Sequence, residues 1–554
     1  MRKILVTAAL PYANGELHLG HLKSTYLPAD IYVRYHRLKG NDVVYVCGSD
    51  EHGTPIELEA KRSGKPVLEY TSYWRERHLE DFKKMRISFD EFYRTHSEEN
   101  IELTRMFLVE LRKKGYLYKQ KVKQLYCPYD DMYLADRFVV GECPYCGAQN
   151  QYGDYCEKCG RTYNAWELKN PRCILCGRKP EIREDEHFFF RLSAFADKLR
   201  NWLLSNNRLQ RSVVNYLLKW LDDLKDWDIT RDRYWGIPMP FEDARDKYVY
   251  VWFDAPIGYI AATVKWCREH GRSWEEYWKN SEAEIVHLIG KDIVYHHFLF
   301  WPAMLMGVNE GLQLPSMISV RGFLTLEGRK FSKSRKWYVS ISEMASIFEP
   351  DYVRFYLTLI SPHSLEDTDF SLNDFKEAVN SGLSDTIGNL VNRVVTLIHR
   401  RFKGVVPAPG GLDDLDKEIV SAIEELPAKV GGHVEKLDLK TGLEELLAFA
   451  RMVNKYLNEK EPWRSSEEKA AATLSVALRA VYTLAALLYP FTPEISSRIL
   501  SVIGMELPPW DEAGKKWVPE GHRLGKPKIV APRITDESIE KIRKVLAERS
   551  GVKI

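Results

Sequence analysis

The chain opens on a nearly continuous apolar run, Lys3-Ile-Leu-Val-Thr-Ala-Ala9, which predicts a buried strand. Pro11-Tyr12-Ala13-Asn14-Gly15 has turn chemistry, a helix follows from about Leu17 to Leu38, and Gly40-Asn41 stops it. Asp42-Val-Val-Tyr-Val-Cys-Gly48 is the next strand-like run. Residues 1–50 thus predict a β-α-β unit whose first loop and helix start lie at the carboxyl edge of the sheet, where open α/β sheets bind ligands. Amphipathic spacing predicts helices over 68–86 and 98–114, is interrupted over 120–185, and returns as helices over 194–225. Strand-like runs at 247–253, 284–289 and 317–325, with a helix over 293–306, predict a second α/β half. Beyond Ser371 the pattern turns helical. Leu383, Ile387, Leu390, Val394 and Ile398 share one face, and 440–458 and 467–489 behave alike. Only a weak strand near 527–531 precedes a charged helix over 536–549.

The expected architecture is multidomain α/β. A Rossmann-type parallel-sheet catalytic domain occupies 1–117 and 226–320, split by a connective insertion, 118–225, that carries zinc knuckles over 120–185. A mobile loop and connecting region, 321–374, leads to an α-helical bundle, 375–510, and a C-terminal tail, 511–554.

Composition narrows the function. The 554 residues carry a net charge of only +2, so nucleic acid must be met by local patches rather than a global basic field. The N-terminus has no signal-peptide length and no later run approaches the ~18 apolar residues of a membrane span, which predicts a cytoplasmic protein with no membrane partner. Seven of the nine cysteines fall between 127 and 176, a clustering that points to metal. Cys143-Pro-Tyr-Cys146 and Cys156-Glu-Lys-Cys159 have the spacing of a tetrahedral four-cysteine Zn²⁺ site. Cys173-Ile-Leu-Cys176 is a third such unit, and its expected partner, Cys127-Pro-Tyr-Asp130, has Asp where a fourth cysteine would stand. A nested arrangement follows: the inner units share one structural zinc and the outer units a second, which Asp130 completes, or which is a labile three-cysteine site or empty. Cys47 and Cys267 read as core residues.

Two motifs carry the chemistry. His18-Leu19-Gly20-His21 puts two imidazoles on one face of a helix's first turn, beside free N–H groups, and Gly20 allows close approach of a flat base or ribose. Lys330-Phe331-Ser332-Lys333-Ser334 sits in a Gly- and charge-rich loop suited to delivering cations to developing phosphate charge. Taken singly, the first is also an ordinary capped helix and the second a solvated basic loop. In this order they resemble the ATP-handling elements of class I aminoacyl-tRNA synthetases.

The likeness is closest to the methionyl-tRNA synthetase family. It rests on Ala9-Leu-Pro-Tyr-Ala-Asn-Gly-Glu-Leu-His-Leu-Gly-His21, Gly48-Ser-Asp-Glu-His-Gly-Thr-Pro55, Trp227-Asp-Ile-Thr-Arg231, Val251-Trp-Phe-Asp-Ala-Pro-Ile-Gly-Tyr259 and Gly290-Lys-Asp-Ile-Val-Tyr-His-His297, in order along residues 1 to about 500. Phe331, where many relatives have Met, is a small departure. The resemblance implies methionine-tRNA ligase activity with ATP, L-methionine and tRNA(Met) as partners and Mg²⁺ accompanying ATP. It implies a methionine pocket of Leu10, Tyr12, Trp252, Pro256, Tyr259, His297 and Phe300, with Asp50 on the α-amino group, although Trp252 and Phe300 alone would read as core. It places His18, Gly20, His21, Asp292 and Lys333 on ATP, and His18, His21, Lys330, Lys333 and Arg231 in catalysis. Arg231 has a structural alternative, an ion pair with Asp228 or Asp232. On the bundle, the resemblance assigns Asn389, Arg393 and Trp463 to the anticodon, with a bundle-core aromatic as the alternative for Trp463. The short tail predicts a monomer. A small-molecule nucleotidyltransferase shares the histidine motif but needs neither the bundle nor the knuckles. A zinc-ribbon RNA-binding protein would not need His18, His21 and Lys333 intact. A cysteine-specific synthetase usually carries zinc in its amino-acid pocket, whereas this pocket is aromatic.

Overall fold

The computed structural model describes residues 1–552 except 135–137, 154, 155, 157, 160, 162, 233, 234 and 333–335. Its centre is a parallel sheet of β1 (Lys3–Ala8), β2 (Asp42–Ser49), β3 (Glu91–Arg94), β4 (Ala283–Gly290) and β5 (Met317–Arg321), in the order β5-β4-β1-β2-β3. The chain leaves β1 toward β2 on one side and meets β4 on the other, so a crevice opens at the carboxyl end of β1. Both faces of the sheet are covered. Ile4, Val6 and Ala8 point into one core and Leu5 into the other, which explains why the strand reads as a continuous apolar run.

The insertion leaves the sheet on a long antiparallel ribbon, Leu117–Cys127 against Glu181–Phe190. A small three-stranded sheet, Val139–Glu142, Gln151–Tyr152 and Lys169–Cys173, sits at its far end. The C-terminal half is helical: Asn389–Phe402, Asp414–Glu435, Leu439–Lys460, Glu467–Leu488 and Pro493–Ile503 pack together. Their core is continuous with one face of the β-sheet. The final helix, Asp536–Ser550, buries Ile539, Ile542 and Leu546, and Arg549 pairs with Glu343, so the tail is docked onto the connecting region.

Several expectations are corrected. No strand forms over 527–531; Val530 and Ala531 are buried against the bundle, but Pro527 and Pro532 flank them and, among the described residues, no neighbouring strand pairs with them. The run at 247–253 is strand only over Lys247–Val249, and Val251–Asp254 is helical. The run at 317–325 breaks into β5 and Leu324–Leu326. The helix Thr54–Arg62 was not predicted. One helix, Glu467–Leu488, does have the length and apolarity of a membrane span, with mean hydropathy 1.7, but that stretch is wholly buried among the other helices.

Candidate active site

The histidine motif is shaped by its own hydrogen bonds. His18 caps the helix: Gly20 N donates to its Nδ1 at 3.2 Å, and its own N–H donates to His21 Nδ1 at 3.1 Å. The two rings lie 3.8 Å apart, and His18 stacks on Phe331 at 4.6 Å. A Cβ on Gly20 would stand 3.0 Å from the His18 ring, so a larger residue there would press on this folded-back imidazole. The helix continues through a π-helical segment, Leu22–Tyr26, before Leu27–Leu38. Such bulges concentrate at functional sites, and here Ser24, Thr25 and Tyr26 reach the crevice.

A cavity of about 460 Å³ fills the carboxyl edge of the sheet. Tyr12, His21, Asp50, Arg231, Trp252 and Asp292 line it. Leu10, Asp50 and Trp252 also border a deeper, narrow chamber closed by Pro256, Tyr259, His296 and His297. Trp252 stacks on His296 at 3.9 Å. His297 Nδ1 lies 3.1 Å from Ile293 O, which can only accept, so Nδ1 carries the proton and Nε2 accepts from Tyr259 OH at 2.8 Å. Burial pushes the pKa of His297 down to about 4 and that of His296 to about 3, so the chamber's end is neutral. It suits an uncharged, polarizable side chain.

Asp50 is buried at the junction of chamber and cavity, and its Oδ1 has no hydrogen-bond partner. Burial, and then the nearby Asp254, push its pKa well above the usual carboxylate range. A carboxylate kept so is poised for a cation supplied by a ligand. Arg231 forms the opposite wall. It pairs with Asp228 at 3.2 Å and lies over the Tyr250 ring at 3.9 Å, so it has a structural ion pair and a face on the cavity together.

Behind Arg231 stands a charged layer that the sequence reading missed. His187 is fully buried, 3.6 Å from Asp228 and 3.2 Å from Asp232. Burial opposes its charge, but the attraction of the flanking Asp228 and Asp232 carboxylates prevails and raises its pKa to about 9. Asp185, His187 and Asp232 have the types of a metal site, but the Lys247 ammonium already bridges Asp185 and Asp232.

Not every expected residue meets the cavity. Phe300 is fully buried with its ring 3.9 Å from Trp227 and lies outside both linings. Lys330 is exposed on the short strand Arg329–Lys330. Lys333 lies outside the described residues. Conversely, Ile293 and His296, inside a quoted motif, and Tyr250, adjoining another, line the site although the sequence reading assigned no role to any of them.

The cysteine knuckles pair as nested units. Cys143, Cys146, Cys156 and Cys159 bring their sulfurs together, with Sγ–Sγ separations of 3.8 Å (Cys143–Cys159) and 3.6 Å (Cys146–Cys156). Four thiolates at a Zn–S distance near 2.3 Å form a tetrahedron of edge about 3.8 Å. In the outer set, Cys127 and Cys176 are 3.5 Å apart and Asp130 Oδ2 lies 3.1 Å from both Cys127 and Cys173. Both sets fit a zinc ion.

On the bundle, Trp463 is 42% exposed and therefore not a core aromatic. It follows Glu461, which ends Leu439–Lys460 in a left-handed conformation. The Arg393 guanidinium lies 5.9 Å from the Trp463 ring and donates to Asn454 and Asn458, and Asn389 is exposed one turn earlier on the same helix. Arg401 donates to the carbonyls of Trp463 and Ser465.

Comparison with known proteins agrees with this geometry. Residues 4–395 match the family model for class I tRNA synthetases (M), and residues 406–550 match the anticodon-binding domain of methionyl-tRNA ligase. The chain is 43% identical to a methionine–tRNA ligase of Methanopyrus kandleri, over 100% of this chain and 83% of the relative, and 42% identical to that of Pyrococcus horikoshii, over 97% and 76%. The Mycobacterium tuberculosis methionyl-tRNA synthetase, solved with methionyl-adenylate, superposes with a TM-score of 0.80 at 26% identity, covering 96% of this chain and 100% of that one. With a full-length match in sequence and fold, the chain belongs to the methionyl-tRNA synthetase family of class I aminoacyl-tRNA synthetases.

Proposed function

We propose that this chain activates L-methionine with ATP and transfers it to tRNA(Met). The observation that carries the reading is the buried Asp50 carboxylate, whose Oδ1 has no hydrogen-bond partner, at the mouth of a neutral aromatic chamber, beside a cavity reached by His21. The thioether side chain enters the chamber between Trp252 and the Tyr259–His297 pair, and the α-ammonium meets Asp50. The carboxylate is already a nucleophile, so no general base is required. One of its oxygens bonds to the α-phosphorus of ATP as the bond to the β-phosphate oxygen breaks, giving methionyl-adenylate and pyrophosphate. His18, His21 and Lys333 counter the phosphate charge, with Mg²⁺ bound to the ATP, and Arg231 faces the reacting carboxylate. A ribose hydroxyl of the tRNA then attacks the acyl carbon and AMP leaves. Two zinc ions, one held by Cys143, Cys146, Cys156 and Cys159 and one by Cys127, Asp130, Cys173 and Cys176, are structural: they cross-link an insertion too small to build a sizeable core. Asn389, Arg393 and Trp463 read the anticodon, Trp463 by stacking.

Amino-acid-dependent ATP–pyrophosphate exchange across the twenty amino acids, followed by charging of tRNA(Met), tests this reading. Exchange peaks with methionine and is lost in Lys333→Ala; a peak with another amino acid would overturn the pocket assignment.

A further inference from the structure

Lys23 and Arg321 form a second cationic centre, away from the substrate cavity. Lys23 sits on the π-helical segment two residues past His21, and Arg321 ends β5; they are 1% and 0% exposed. Lys23 Nζ donates to Gly322 O at 3.0 Å. Arg321 donates to Ser319 Oγ at 2.6 Å and to Leu437 O, in the turn between two bundle helices, at 2.7 Å. All these acceptors are neutral. The carboxylates nearest in effect are Asp367 and Asp438, which are engaged elsewhere, with Lys291 at 2.6 Å and His433 at 3.2 Å. Neither buried cation has a carboxylate at ion-pair distance among the described residues.

Between them lies a cavity of about 10 Å³, lined by Lys23, Arg321, Leu357, Thr358, Ser361 and Leu439. Two polar atoms on its lining residues, Arg321 Nε and Ser361 Oγ, have no hydrogen-bond partner. The space suits a single occupant of about water size. A water would satisfy a donor but leave two like charges facing each other in a low dielectric, whereas buried charges are normally paired. We propose that this cavity binds one small monovalent anion of the halide class, held by Lys23, Arg321 and Ser361. The anion locks the helix behind the histidine motif and the strand leading to the Lys330 loop onto the Leu437–Leu439 turn of the bundle. Without it, burial and then Arg321 depress the Lys23 pKa to about 8, and burial depresses that of Arg321 to about 9, so the empty site is strained electrostatically.

The full-length, zinc-loaded protein is crystallised from bromide, and its thermal midpoint is followed against chloride at constant ionic strength, with gluconate, too large for the cavity, as the replacement anion. A bromide anomalous peak at Lys23–Arg321–Ser361 is expected, together with a saturable rise of the midpoint with chloride. Lys23→Met abolishes the chloride response and, having lost the repulsion, melts in gluconate no lower than the wild type. Ser361→Ala keeps the response but raises the half-saturating chloride concentration several-fold. No bromide peak, a rise that fails to saturate, or an unchanged response in Lys23→Met would overturn the proposal.

Discussion

In the proposed reading, a single side chain, Asp50, sets the charge the substrate must carry. Its raised pKa belongs to the empty site, where burial and Asp254 disfavour the ionised form; an ammonium partner reverses that preference. Methionine affinity therefore falls as pH falls through the raised pKa, and binding releases protons wherever the empty-site carboxyl is protonated. Calorimetry in buffers of different ionisation enthalpy reads that release directly. Asp50→Asn keeps the shape and loses the charge, and we expect the KM for methionine to rise by about 30-fold or more, on the order of 2–5 kcal/mol for a buried charge pair, with the KM for ATP nearly unchanged. His187 is the opposite case, a buried base kept charged. Its folded pKa, about 9, is above the ordinary histidine value, so its contribution is fully present below about pH 6.5 and is lost as pH rises through about 9. The full contribution is on the order of 3 kcal/mol. The difference in thermal midpoint between wild type and His187→Gln should shrink across that window; a difference independent of pH would show that His187 acts only by packing.

At the scale of elements, the insertion is expected to depend on bound metal. The ribbon Leu117–Cys127 and Glu181–Phe190 is exposed over much of its length, and the small core at its tip includes the cysteines themselves. Asp130 offers an oxygen where the other three outer groups offer sulfur, and such a set would be expected to hold zinc the more weakly of the two. Elemental analysis should find about two zinc per chain. Asp130→Ala should lose the outer zinc to a mild chelator while the inner site keeps its metal, and Cys143→Ser should release the inner ion and unfold the knuckle. Equal release of both ions from Asp130→Ala would argue that the sites fold as one unit.

At the scale of the molecule, catalysis and tRNA recognition are built on one continuous core that runs from the face of the sheet carrying Ile4, Val6 and Ala8 into the bundle. Trp463 and Arg393 are on the bundle, while the lining of the substrate cavity comes from the sheet edge and the segments around it. Trp463→Ala should therefore lower kcat/KM for tRNA charging by about 10- to 100-fold, in keeping with roughly 1–3 kcal/mol for a stacked base, and leave ATP–pyrophosphate exchange unchanged. A parallel loss of exchange would mean that the bundle supports the active site through the shared core.

The sequence by itself determined the parallel-sheet halves, the helical bundle and the nesting of the knuckles. These are local properties: Ile4-Leu5-Val6 can be buried on both faces only in a covered sheet, a 3.6-residue stripe specifies a helix, and paired Cys-x-x-Cys units specify a metal. Most of the cavity's wall was legible too, because the motifs carry it on short, contiguous segments around Tyr12, Asp50, Trp252 and Asp292. Contacts between distant segments were decided only by tertiary structure. Nothing in the sequence places Trp227, far away along the chain, against Phe300. Gly20 in the sequence gives no sign that the His18 ring folds back close to it. His187, Asp228, Asp232 and Lys247 come from four separate strands, and no one-dimensional pattern joins them. Lys23 and Arg321, 298 positions apart by their numbers, look like ordinary surface cations in the sequence. Burial and shared charge are properties of where the chain returns, and packing alone fixes that.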